Sequence, residues 1–182
     1  MTYDIYKQAR NTAWKFLIDN EVNALPVKLS AICRRNNIAL LYDDGKYLSD
    51  NKRGITFIDD NRKFNIVLNS NYSDAVKRYT IGHELGHIFL GHFTENTMNH
   101  FDMEYQAERF AIDILAPACV LWGLDLHKAE DIAKICNISM QSARIRAERM
   151  DILYKRNKFL TSSLEKQVFE NFSDFIRQHK SK

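Results

Sequence analysis

The apolar positions change rhythm twice along this 182-residue chain. From Tyr3 to Asp19 they recur as Ile5, Ala9, Ala13, Phe16 and Leu17, the spacing of one helical face. Pro26 opens a second, short helix with Leu29, Ile32 and Cys33 on one side, ended by Asn36 and Asn37. Three short runs of strand character follow, "IALLY", "GITFI" and "FNIVLN", separated by turn-forming stretches at Asp43-Asp44-Gly45 and "DDNR". The two runs that flank "DDNR" predict an antiparallel hairpin. From Ser73 the rhythm is helical to the end. Ile81, Leu85, Ile88 and Phe89 form the apolar face of a helix from about Asp74 to Phe93, and after the loop "FTENTMNHFD" another runs from Met103 to Leu115 and stops at Pro117. Helices over Glu130–Cys136 and Ser139–Tyr154 come next. An amphipathic helix over 162–178 closes the chain, opened by Ser162 with Glu165 three residues on, a capping box. Its stripe of Leu164, Val168, Phe172 and Phe175 has to be buried against the body or against another chain.

The fold class is therefore α+β, a small antiparallel or mixed sheet packed on a helix, with a helical C-terminal part. The expected division is an α+β domain over 1–117 and a helical region over 118–182. Composition is that of an ordinary globular chain, 45% hydrophobic and 27% charged. The N-terminal stretch has charges throughout and no apolar signal-like region, and no apolar run reaches the roughly 20 residues of a membrane span. A cytoplasmic location without membrane contact is expected. Cys33, Cys119 and Cys136 are far apart and form no C-x-x-C pair, so they are expected as idle thiols. The net charge of +3 is unevenly spread: Met140 to Lys182 holds ten Lys and Arg against five Asp and Glu.

The stretch "TIGHELGHIFLGH", Thr80 to His92, holds half of the six histidines. His83 and His87 are four apart, so on a helix their imidazoles lie on one face and can reach one ion. Glu84, one residue after the first, falls beside that ion, where it can act as general base towards water. This H-E-x-x-H arrangement favours one zinc ion, for which imidazole and carboxylate are suitable ligands. Gly82 and Gly86 each cost about 1 kcal/mol of helix propensity, and their shared face is expected to let the backbone approach a strand closely.

A catalytic zinc takes three protein ligands and keeps one position for water. His92, Glu95, His100, Glu104 and Glu108 are available for the third. On a continuing helix His92 lies about 140° around the axis from His87, so a role at the helix end or beside a ligand is expected for it rather than ligation. In "EYQAERFAIDILAP" Glu104 and Glu108 share a helical face, which resembles the thermolysin-like pattern: Glu104 as third ligand, Glu108 as the acid that orients a ligand histidine. Glu95 and His100 stay open if the loop folds inward.

"HELGHIFLGH" followed by "EYQAERFAIDILAP" resembles the ImmA/IrrE family of bacterial metallopeptidases. Glu104, Ala107, Phe110, Ala111, Leu115 and Pro117 match the second motif in register, whereas Gln106 stands for a common Glu and Glu108 for the usual Asn or Asp. The resemblance implies a compact gluzincin-like endopeptidase with zinc on His83, His87 and Glu104 and Glu84 as catalytic base. It also implies a substrate, a helix-turn-helix repressor, whose cleavage relieves repression of a mobile element or a stress response. Phe64–Asn69 is the strand chosen for the edge on which a substrate pairs. Tyr72, Tyr79, Tyr105 and Tyr154 are candidates for the donor to the oxyanion.

Residues 129–150 have the look of a helix-turn-helix: a short helix, a turn at Asn137 to Ser139, and a second helix capped by Ser139 that bears Arg144, Arg146 and Arg149. Weak nucleic-acid contact through this segment defines the competing class, a DNA-binding regulator. A third class is an antirepressor that binds without cutting and uses the metal structurally.

Overall fold

The computed structural model describes residues 3–94 and 98–180, and Glu95 lies outside them. Three strands, β1 (Ala39–Asp43), β2 (Gly54–Ile58) and β3 (Phe64–Asn69), follow the helices α1 (Tyr3–Asp19) and α2 (Leu29–Arg35). Helices α3 (Asp74–Phe89), α4 (His100–Leu115), α5 (Ala118–Gly123), α6 (Ala129–Cys136), α7 (Met140–Lys155), α8 (Ser163–Asn171) and α9 (Ser173–His179) complete the described chain. The class is α+β, and none of the described helices is long and apolar enough to cross a membrane. Contacts group the chain into two units: Met1–Ala9 with Lys28–Ala111, and Arg10–Val27 with Ile112–Lys182.

In the first unit the sheet order is β1-β3-β2, with β1 parallel and β2 antiparallel to β3. The hairpin around "DDNR" is formed, but β3 lies in the centre, so Phe64–Asn69 is not the edge expected from the sequence. The free edge of the hairpin is β2. Asn69 N–H bonds to Arg53 C=O and Asp59 N–H to Lys63 C=O at the two ends of the ladder. Antiparallel pairs alternate, so Ile55 and Phe57 turn their main-chain groups to β3 while Gly54, Thr56 and Ile58 turn theirs to the free edge.

Thr56 pairs with Ile66 and Gly54 with Leu68, which puts these four side-chain positions on the face towards α3. Ile66 and Leu68 are fully buried there. A Cβ on Gly54 would stand 2.6 Å from Thr80 Cγ2 and 2.8 Å from Val67 O, so α3 rests directly on this strand. The Asp43 carboxylate accepts N–H groups from Gly45, Lys46, Tyr47 and Leu48 at 3.0–3.2 Å and folds the loop towards β2. These bonds hold its carboxyl below the usual range.

Helix α3 stops at Phe89, earlier than the periodicity predicts. Gly91 takes φ +76°, its N–H bonds to Ile88 O and His92 N–H bonds to His87 O at 2.9 Å, a Schellman termination. Helix α4 begins at His100 instead of Met103 because Asn99 caps it, its side chain accepting from Asp102 N–H at 2.9 Å. At Gly86 the expected close approach is to a helix, not a strand: a Cβ there would meet Ala107 Cα at 2.9 Å and Ala107 O at 3.1 Å.

The second unit is helical. Asn137 adopts the left-handed turn conformation, φ +50°, and Ser139 Oγ caps α7 through Ser142 N–H. Ser162 Oγ accepts from Glu165 N–H while Glu165 Oε2 accepts from Thr161 N–H, the two halves of the capping box. The predicted last helix breaks at Phe172 into α8 and α9; of its stripe Val168 and Phe172 are fully enclosed, Phe175 is buried and Leu164 is half-buried. Phe169 and Ile176 close on Gly123, where a Cβ would meet them at 2.6 and 2.9 Å. Arg146 Nη2 donates to Asp113 Oδ1 at 2.6 Å, both side chains almost wholly buried. All three cysteines are buried and in no disulfide, and burial pushes the Cys33 thiol up to about 11.

Candidate metal centre

Five side chains from three elements converge in the first unit: His83, Glu84 and His87 from α3, Glu104 from α4 and Thr56 from β2. Because His83 and His87 are one helical turn apart on α3, their Nε2 atoms come to 3.1 Å of each other. Glu104 enters from α4, with Oε2 3.3 Å from His83 Nε2 and Oε1 3.3 Å from His87 Nε2. A tetrahedral zinc with bonds of about 2.0–2.1 Å spaces its ligands by about 3.3 Å, which is the distance from each imidazole nitrogen to its nearer Glu104 oxygen. Two imidazoles and a carboxylate also form a donor set suited to zinc. Among the described residues these three are the group whose ligand atoms all lie within 4.8 Å of one another.

The approach of Gly86 to Ala107 fixes this geometry. It brings α3 and α4 together one turn from Glu104, and a larger side chain at either position would hold the carboxylate away from the imidazoles.

Glu84 stands beside the triangle rather than in it. Its Oε2 accepts from Thr56 Oγ1 at 2.7 Å, and Thr56 is buried on β2. Sequence reasoning missed Thr56. With one carboxylate oxygen occupied, the other is free to meet a water. The group lines a cleft of about 450 Å³ whose walls include Gly54, Ile55 and Thr56 of β2 and Phe93, His100 and Met103 opposite.

His92 sits against His87 because the Schellman turn reverses the chain. His92 Nδ1 is 2.9 Å from His87 Nδ1, and His92 Nε2 is 3.0 Å from Gln106 Oε1. The expectation of a position 140° away assumed that the helix continued, and it ends three residues earlier. Burial, then the neighbouring His83, His92 and His100, push His87 down to about 3. Burial also lowers His92. Neutral rings are the form in which imidazole ligates a metal.

Glu108 is exposed and lines an adjoining recess of about 420 Å³ with Tyr79, His83, Glu84 and Glu104. Burial, with Glu108 next, pushes Tyr79 up to about 12. His100 is 84% exposed, with Nε2 3.7 Å from Glu104 Oε1, at the rim rather than in the triangle. Of the other candidate tyrosines, Tyr72 donates to Asp50 O at 2.9 Å, and Tyr154 belongs to the second unit, stacked on His127.

A transcriptional regulator from Mycobacterium tuberculosis has a similar fold, with a TM-score of 0.55 at 12% identity. The alignment covers 91% of this chain and 50% of that one, so this chain spans half the regulator's length. No curated protein matches. The profile of the peptidase family described as IrrE N-terminal-like domain matches residues 43–148, a span that contains the β2–β3 hairpin, α3 and α4. That match covers more than half of the sequence, and the chain belongs to the ImmA/IrrE family of metallopeptidases.

Proposed function

We propose that this chain is a zinc-dependent endopeptidase that cuts a helix-turn-helix repressor presented as an extended segment, and so relieves repression of a mobile element or a stress response. The observation that carries the reading is the His83–His87–Glu104 triangle opening on a cleft beside a free strand edge, with Glu84 held by Thr56. A structural site has no use for an open side or for a base next to its ligands. Zinc held by these three residues would supply Lewis acidity for water and for the scissile carbonyl.

The remaining steps belong to the chain. Glu84 takes the proton of the attacking water on its free oxygen and passes it to the leaving nitrogen. Gly54, Thr56 and Ile58 offer main-chain N–H and C=O groups along the β2 edge, where a substrate strand pairs by β-augmentation. Tyr79, raised to about 12, keeps its proton and serves as hydrogen-bond donor at the recess beside His83. Against the DNA-binding alternative, Arg146 is spent in a buried ion pair with Asp113, whereas Arg144 is exposed.

The test is incubation of the zinc-loaded protein with the repressor encoded beside its gene, read by fragment mass. Two fragments are expected, and Glu84→Gln should bind zinc as the wild type does while cleavage falls by about 10²–10⁴-fold. Repressor that binds and is released intact would favour the antirepressor reading. A salt-dependent mobility shift on DNA without cleavage would favour the regulator.

A further inference from the structure

We propose that His92 and Gln106 form a one-way hydrogen-bond relay that fixes the tautomer and orientation of His87, making the start of α1 part of the metal centre. The inference rests on the reading of His87 as a ligand, yet its polarity follows from the far end of the relay without reference to any metal.

Gln106 is fully buried, so both ends of its amide need partners. Its Nε2 lies 3.2 Å from the main-chain oxygen of Ile5 and 3.0 Å from Gln8 Oε1. A backbone carbonyl can only accept, so the amide nitrogen has to face α1 and Oε1 has to face His92. Gln106 Oε1 is also only an acceptor, and His92 Nε2, 3.0 Å away, must therefore carry the proton. In a neutral ring that leaves His92 Nδ1 with a bare lone pair, directed at His87 Nδ1 at 2.9 Å.

Exactly one proton fits between those two nitrogens, and it has to come from His87. Its Nδ1 then carries the hydrogen and its Nε2 presents a lone pair towards His83 Nε2 and Glu104 Oε1, the direction a cation needs. Each link permits one orientation only, and a carbonyl on α1 dictates all of them. Helix α1 is in turn tied to α4 by Arg109, which donates to the Tyr6 hydroxyl at 3.2 Å and lies 4.7 Å over the Tyr6 ring. The relay's anchor is thus held at a fixed distance from the ligand helix.

His92 and Gln106 are positioning residues on this reading, and substitutions that keep or invert the relay's polarity separate that role from bulk packing. His92→Phe keeps the ring and removes both nitrogens. His92→Gln keeps one acceptor and one donor. Gln106→Glu keeps the shape but replaces the donor facing Ile5 by an acceptor. Zinc affinity of the full chain, measured by competition with a chromophoric chelator, is expected to fall about 10–100-fold in His92→Phe and Gln106→Glu and to recover most of that in His92→Gln. In the zinc-loaded protein with ¹⁵N-labelled histidine, His87 Nδ1 is expected to be protonated, with a scalar coupling across the hydrogen bond to His92 Nδ1.

Zinc affinity within twofold of wild type in a folded His92→Phe chain overturns the relay, as does a spectrum with the proton on His92 Nδ1. Should His92→Phe fail to fold, the wild-type spectrum decides alone. His83→Ala and Glu104→Ala are the controls for the underlying reading. If these keep wild-type zinc affinity, the metal centre itself is misassigned; if they lose it while His92→Phe does not, only the relay is wrong.

Discussion

A hydroxyl from a strand holds the proposed base. Thr56 Oγ1 donates to Glu84 Oε2 at 2.7 Å, a bond to a charged acceptor that contributes about 1.5–3 kcal/mol when both partners are retained. Thr56→Val keeps the β-branched shape and removes the donor. Cleavage is expected to slow by about 10–100-fold in kcat with KM and zinc content little changed, and Thr56→Ser should restore most of the rate. A Thr56→Val enzyme with wild-type kcat would show that Glu84 is oriented by something else. The helical period in the sequence put His83 and His87 on one face with Glu84 beside them, whereas it left Glu104 and Glu108 equivalent, and only the resemblance of the next helix to a family motif singled out Glu104. Thr56 lies 28 residues before Glu84, and no local period connects a strand to the helix it supports. A trace of it was present: in "GITFI" the positions facing α3 are Gly and Thr, while the apolar Ile55 and Phe57 point away. A strand that turns its polar side towards the helix it supports has a polar group to meet there.

Elements set how far these residues can be brought together. Helices α3 and α4 cross where Gly86 meets Ala107, and there is no room for one carbon more: the nearest atoms to an added Cβ are main chain at 2.9 and 3.1 Å. Gly86→Ala gains about 1 kcal/mol of helix propensity and incurs about 1–3 kcal/mol of overpacking. The expected balance is a loss of up to about 2 kcal/mol in chemical denaturation of the metal-free protein. A fall in zinc affinity should accompany it, because the helices must part near Glu104. A more stable Gly86→Ala chain would refute the close packing. The partner of this glycine was misjudged from sequence because spacing shows which residues share a face and not what the face meets. Strand order was hidden for a related reason. The hairpin of β2 and β3 is local and was readable, whereas the parallel pairing of β1 to β3 joins segments separated by the whole of β2 and puts β3 in the centre. Asn65, Ile66, Leu68 and Asn69 of Phe64–Asn69 are enclosed, more than in either neighbouring strand, as befits a strand with partners on both sides.

For the whole molecule, protons and the metal act on the same imidazoles, and the sign of the pH dependence follows from the direction of the shifts. His87 is pushed from an ordinary 6.5 down to about 3, so the folded chain prefers the neutral ring and the unfolded chain binds the proton first. The corresponding stability is fully present above about pH 6.5 and is lost as pH falls from there towards 3. His92, shifted the same way, adds to the slope. Asp43 acts in a lower window: its carboxyl is held below 3.8, so its contribution is complete above that value and is lost only as pH falls further. Metal-free protein should therefore melt at a constant temperature from pH 8 to 7 and at progressively lower temperatures from pH 6.5 to 4.5, before Asp43 responds. Zinc at the proposed site would bind the neutral rings of the folded chain, and at a free concentration 1,000 times its Kd it would add about 4 kcal/mol, raising the whole profile and moving its acid limb to lower pH. Thermal melts in chelator and in excess zinc across pH 4.5–8 measure both effects. A metal-free chain equally stable at pH 7 and pH 5 would mean that His87 is not held neutral by burial. The fold would then not be preparing the ring for a metal, and the site would have to be assembled by the ion itself.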